Sequence, residues 1–231
     1  MKAAWESLKR LAAVIVNWRY FKPVVFVACA IPLVDVAISF WLVYSGRDPN
    51  LLGADPTKAL LHLTGEDALA ILLLSLTVTP ARRILGINKL HNIRRMLGLW
   101  AFAYAVVHLS LYLAFDQLCY SLATCDWNGI WQDILKRKFI FMGQLAFVCM
   151  LLLALTSTAG SVRLLKKNWV RLHRIVYVAG IAGVIHFIWI QKSDYGEPLN
   201  WAFWLAGLLG FRVYYAIRKR RLATAPRRVT A

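Results

Sequence analysis

The chain has 231 residues, of which 60% are hydrophobic and only 17% charged. A soluble domain carries about a quarter charged residues, so an ordinary globular protein is excluded and a membrane protein is indicated. The net charge of +17 would suit a nucleic-acid binder, but the basic residues sit between apolar runs, which points to membrane topology instead.

In chain order, residues 1–22 mix Trp5, Leu8, Leu11 and Ile15 with Lys9, Arg10 and Arg19. No small-residue cleavage site follows a short apolar core, so the segment reads as an interfacial helix and not as a signal peptide. Six apolar runs then follow, at about 24–45, 66–80, 97–116, 139–158, 174–191 and 199–217. Each approaches the ~20 residues that cross a bilayer, although the second is short and the fifth marginal. The predicted fold is an all-α membrane protein, a six-transmembrane-helix bundle with both termini cytoplasmic. Its parts are an interfacial segment 1–22, a membrane domain 23–217 and a basic tail 218–231.

The orientation comes from charge. Segments 1–22, 81–95, 160–174 and 212–231 hold 22 of the 28 Lys and Arg. The other six are Arg47, Lys58, Lys136, Arg137, Lys138 and Lys192. The positive-inside rule therefore puts both termini in the cytoplasm. Asp48, Asp55, Asp116, Asp126, Asp133, Asp194 and Glu197 lean to the opposite side.

Polar residues within or beside the spans are the functional candidates, because ionisable groups in a membrane are costly. Asp35, in the first span, is the clear carboxylate. It follows Pro32 and either bonds backbone freed by the proline or approaches a quinone. His62 lies just before the second span, with a cap or loop role. His91 lies in the second cytoplasmic loop and reads as a surface residue. Cys29 and Cys149 read as packing residues within spans. Cys119 and Cys125 share one outer loop and either bridge in an oxidising compartment or remain free thiols. Trp127 and Trp131, in the 117–138 loop, suit partner docking or anchoring at the membrane interface.

His108 and His186 stand apart. They lie in the third and fifth spans, which run in the same direction, each 12 residues past its start at Met96 and Arg174. At about 1.5 Å per residue both lie roughly 18 Å into the bilayer. Two neutral imidazoles at one depth suit axial ligation of a haem iron; the alternative is a hydrogen bond to a backbone carbonyl or a serine. Trp100 and Tyr104 precede His108 on its own face and suit packing beside a planar macrocycle. Gly180 and Gly183 precede His186 and admit either a bulky group or another helix. His173 lies 13 residues before His186, about 20 Å away along the axis and some 140° around it in an ideal helix. Either the helix is distorted there or the two histidines address different neighbours, and His173 flanked by arginines also reads as an interfacial cation.

The stretches GADPTKALLHLTG, TVTPARR, RRMLGLWAFAYAVVHLSLY, LALTSTAGSVRLL and WVRLHRIVYVAGIAGVIHFIW, within about residues 50–190, resemble the MsrQ family. These are haem-binding membrane subunits of bacterial methionine sulfoxide reductase systems, within the ferric reductase-like transmembrane family. The resemblance implies that His108 and His186 hold a b-type haem nearest the outer face and that His173 matches an inner-face ligand. The wider family's partner for that inner ligand falls at Arg94, which does not ligate iron. One haem on His108 and His186, or a second on His173 with an unorthodox or missing partner, is therefore implied; His91 is the nearest spare histidine. FMN is implied as a further cofactor. The implied partners are the quinone pool or a cytosolic flavin reductase as donor, and a periplasmic molybdopterin methionine sulfoxide reductase (MsrP) as acceptor. The implied location is the bacterial inner membrane.

No dinucleotide-binding glycine pattern, P-loop or HExxH motif is present. Only about 14 residues follow the last run, so a cytoplasmic nucleotide-binding domain is not expected and the electron donor is another molecule. The rival readings are a different ferric reductase- or NADPH oxidase-like carrier and, of another class, a transporter. The transporter would need a polar pathway and broken helices in repeated halves, neither of which is visible.

Overall fold

The computed structural model describes residues 1–121, 123–191 and 195–224. Lys192, Asp194 and the tail beyond 224, with Arg227 and Arg228, lie outside the described residues. The described chain forms ten α-helices: α1 (Lys2–Asn17), α2 (Phe21–Tyr44), α3 (Pro56–Leu85), α4 (His91–Leu111), α5 (Trp127–Lys136), α6 (Lys138–Leu155), α7 (Ala159–Leu165), α8 (Lys167–Leu172), α9 (Val176–Ile190) and α10 (Gly196–Thr224). A π turn at Tyr112–Asp116 extends α4, and a 3-10 turn at His173–Ile175 joins α8 to α9. Among the described residues, five continuous stretches are long and apolar enough to cross a membrane: Phe21–Tyr44, Pro56–Leu85, Asn88–Asp116, Lys138–Leu155 and Lys167–Ile190.

The expected sixth span is a helix, but of a different character. α10 runs for 29 residues, and Trp201, Trp204, Arg212, Tyr214 and Tyr215 dilute its apolar run. It lies along α3 and α9, with Arg212 donating to the Leu76 carbonyl at 2.8 Å. The marginal fifth span is lengthened by α8 and the 3-10 turn to 24 residues.

The second span departs most from expectation. α3 is 30 residues long, not a short run. Asp55 caps it by accepting the Lys58 N–H at 2.9 Å, Pro56 opens it, and Gly86 ends it in the left-handed conformation at φ 76°. His62 therefore stands inside a helix, about one turn before the apolar run that starts near residue 66, and not in a loop. Glu66 and Asp67 also belong to this helix, so Asp35 is not the sole carboxylate in the spans. Asp35 itself is exposed on α2.

α3 is the hub of the bundle. It contacts α2, α4, α9 and α10, while α6 pairs with α9. Leu60, Thr64, Leu73 and Leu76 on α3 are fully buried, as is Tyr104 on α4. α1 buries no residue and exposes Trp5, Leu8, Leu11, Val14 and Ile15, the apolar stripe of a helix lying on a membrane surface.

The two ends of the bundle differ. One, the basic end, carries α1, the α3–α4 turn, α7 and α8. The other carries the Cys119–Cys125 disulfide, the bridged form of the two sequence alternatives. Cys29 and Cys149 are buried free thiols, as read from sequence. At the disulfide end Asp133 gathers three side chains: Tyr112 donates to it at 2.7 Å, Gln117 at 3.2 Å, and Arg137 pairs with it at 2.7 Å.

Candidate functional site

His108 on α4 and His186 on α9 come together, although 78 positions separate them in sequence. Their ring centres are 6.2 Å apart and their planes nearly perpendicular, at 87°. Each ring is held from behind by a neighbouring helix. His108 Nδ1 donates to the Leu61 carbonyl of α3 at 2.9 Å, with Thr64 Oγ1 at 3.3 Å. His186 Nδ1 donates to the Phe139 carbonyl of α6 at 2.6 Å. A neutral imidazole has one N–H; spending it at Nδ1 leaves a lone pair on Nε2 of both rings.

The same device holds both rings. In each case a glycine lies four residues after the accepting carbonyl: Gly65 after Leu61, and Gly143 after Phe139. A Cβ at Gly65 would stand 3.0 Å from His108 Cε1, and one at Gly143 would stand 2.9 Å from His186 Nδ1. Both glycines are notches that admit an imidazole against the helix backbone. Nothing in the sequence pattern singled them out, because a notch is defined by the ring that enters it from another helix. The glycines that did attract notice serve helix packing: a Cβ at Gly180 would meet Leu205 at 3.5 Å, and one at Gly183 would meet Leu69 at 3.5 Å.

The pair suits a metal held between two imidazoles. Two metal–nitrogen bonds of about 2 Å in line, with each ring centre about 1.1 Å behind its nitrogen, require roughly 6 Å between centres. The observed 6.2 Å matches that span. Bonds from Nδ1 to carbonyls are the usual way in which a ligating histidine is oriented.

Other candidates lie elsewhere. Tyr104 is a core residue: its hydroxyl donates to the Cys29 carbonyl of α2 at 2.7 Å, and Trp100 packs edge-on against Phe26 of α2 at 5.0 Å. That aromatic face of α4 therefore meets α2. His173 is not part of the pair. Its Nε2 lies 3.2 Å from Thr156 Oγ1, at the end of α6, and its ring stacks on Trp169 at 3.9 Å. The 3-10 turn that starts at His173 adds about 20° per residue to the helical rotation, which narrows the ideal offset from His186 to roughly 80°. His91 is exposed at the start of α4, and Arg94 is partly buried one turn later.

Residues 65–184 match the family described as the ferric reductase like transmembrane component; Gly65, His108, Gly143 and His173 lie within that segment. The chain is 43% identical over 209 residues to the protein-methionine-sulfoxide reductase heme-binding subunit MsrQ of Xanthomonas euvesicatoria pv. vesicatoria (strain 85-10), covering 90% of this chain and 92% of that one. It is 43% identical over 203 residues to the protein of the same name from Rhodospirillum rubrum, covering 87% and 91% of the two chains. No solved structure matches. The chain belongs to the ferric reductase-like transmembrane family, among its MsrQ proteins.

Proposed function

We propose that this chain is the membrane electron-transfer subunit of a methionine sulfoxide reductase system, and that His108 and His186 are the axial ligands of a haem b. The observation that carries this reading is the pair itself: two rings 6.2 Å apart, each with Nδ1 spent on a backbone carbonyl. Bound there, haem b supplies a centre that alternates between ferric and ferrous iron. Leu61 and Phe139 fix the rings through their carbonyls, and Gly65 and Gly143 give them room. Held by both His108 and His186, the group would have no place left for oxygen or substrate, and the site would serve transfer and not chemistry on a substrate.

The acceptor in this reading is a periplasmic molybdopterin methionine sulfoxide reductase, MsrP, and the donor is the quinone pool or a cytosolic flavin reductase. The similarity to proteins named as heme-binding subunits of a protein-methionine-sulfoxide reductase supports the partnership. α10 is the sixth span, both termini face the cytoplasm, and the disulfide end faces the periplasm; the clustering of 22 of 28 basic residues supports that orientation. FMN is a further cofactor of this reading, without assigned residues. His173 is the ligand of a second haem toward the basic end if the purified chain holds two haems, and keeps its bond to Thr156 if it holds one.

The test is loss of the haem signal. His108→Ala and His186→Ala are each expected to abolish a low-spin b-type reduced-minus-oxidised spectrum. Retention of that spectrum in either variant would contradict the assignment.

A further inference from the structure

A second cluster of ligand-type side chains lies on the turn of α3 next to the histidine pair. His62 and Glu66 are four residues apart, so they share one face of the helix. Glu197 reaches the same point from the first turn of α10. His62 Nδ1 is 3.9 Å from Glu66 Oε2, and His62 Nε2 is 3.5 Å from Glu197 Oε2. One ligand atom from each residue lies within 4.8 Å of the other two. Phe187 of α9 packs edge-on against the His62 ring at 5.5 Å and limits its rotation. His62 also lines an open recess with Asp55, Lys58, Ala59 and Leu63.

We propose that His62, Glu66 and Glu197 bind a divalent transition-metal cation of the Zn2+ type, which clamps the start of α10 to α3. The donor set is one imidazole and two carboxylates, whose two negative charges balance the ion, and water supplies the open position. Ligand atoms around a tetrahedral Zn2+ stand roughly 3.4 Å apart at bond lengths of about 2 Å. The present spacing of up to 4.8 Å is wider than that, so binding requires the glutamate side chains to close on one nitrogen of His62. The clamp is independent of the haem assignment, but it adjoins that site: Leu61, whose carbonyl orients His108, precedes His62. The competing arrangement is an ion pair between a protonated His62 and its carboxylates, which binds no metal.

The experiment is a titration of the purified full chain, free of any histidine tag, with Zn2+ and separately with Mn2+. Bound metal per chain and the thermal unfolding midpoint are followed in wild type, His62→Ala, Glu66→Gln and Glu197→Gln. The expected result is one Zn2+ per wild-type chain, bound more tightly than Mn2+, with a rise in the midpoint. Each variant should lose about tenfold or more in affinity and lose the rise. The haem spectrum of each variant reports separately that the bundle and the histidine pair are intact. No stoichiometric uptake of either ion by wild type would leave only the ion pair and overturn the proposal. Equal uptake by wild type and all three variants would place the metal elsewhere and overturn it too.

Discussion

At the scale of single residues, the decisive feature is how tightly two imidazoles are seated. Gly65 and Gly143 have no space for a side chain, since a Cβ would come within 3.0 Å of His108 and 2.9 Å of His186. Overfilling a packed site costs about 1–3 kcal/mol. Gly65→Ala and Gly143→Ala are therefore expected to keep the fold while tilting one ring away from its carbonyl. Electron paramagnetic resonance of the ferric protein should show altered g-values or a high-spin fraction; unchanged spectra in both variants would show that the notches are not needed. Tyr104→Phe tests a different role. It removes the hydroxyl bonded to Cys29, and should lower stability by about 1 kcal/mol while leaving the haem spectrum unchanged. A lost spectrum would mean that Tyr104 belongs to the site after all. The histidine pair was legible in the sequence because equal depth in two parallel spans is a property of chain position alone. The notches were not, because Gly65 and Gly143 acquire meaning only when α4 meets α3 and α9 meets α6.

At the scale of elements, α3 shows why apolar run length misjudges a helix. Its apolar centre is flanked by Lys58, His62, Glu66 and Asp67 on one side and by Arg82 and Arg83 on the other. Those residues lower the hydropathy without ending the helix, because each keeps its backbone hydrogen bonds whatever its side chain. The start was written locally, in Asp55 followed by Pro56, a capping residue and a proline at the first helical position. Asp126 caps α5 in the same way, accepting the Gly129 N–H at 2.9 Å. Asp126→Ala should cost about 1 kcal/mol of stability. Asp133→Ala releases Tyr112, Gln117 and Arg137 together and should cost more than the loss of a single cap. Thermal unfolding monitored by circular dichroism orders the two variants, and the reverse order would mean that the Asp133 network is incidental.

At the scale of the whole molecule, the account is a conduit with a histidine pair nearer one end and a belt of positive charge at the other. The charge distribution predicts that the disulfide end faces the periplasm. In intact cells, Cys119 and Cys125 should therefore react with a membrane-impermeant maleimide only after reduction, while reporters fused at both termini should score as cytoplasmic. Labelling that requires lysis would invert the topology. Five of the six apolar runs were legible as candidate spans because apolar residues dominate their centres; the short helices α5, α7 and α8 lie outside those runs and were not. The run at 199–217 reads as a span from sequence and α10 covers it, but its aromatic residues and Arg212 set it apart from the five stretches apolar enough to cross a membrane, and no pattern in the sequence marked its contact with α3 through Arg212 and Leu76. The central claim remains the pairing of His108 with His186. The most direct measurement is the reduced-minus-oxidised visible spectrum of the purified protein beside His108→Ala and His186→Ala. The account predicts a low-spin b-type spectrum in the wild type that is lost in each variant. A wild-type protein that shows no such spectrum after reconstitution with haem would contradict it.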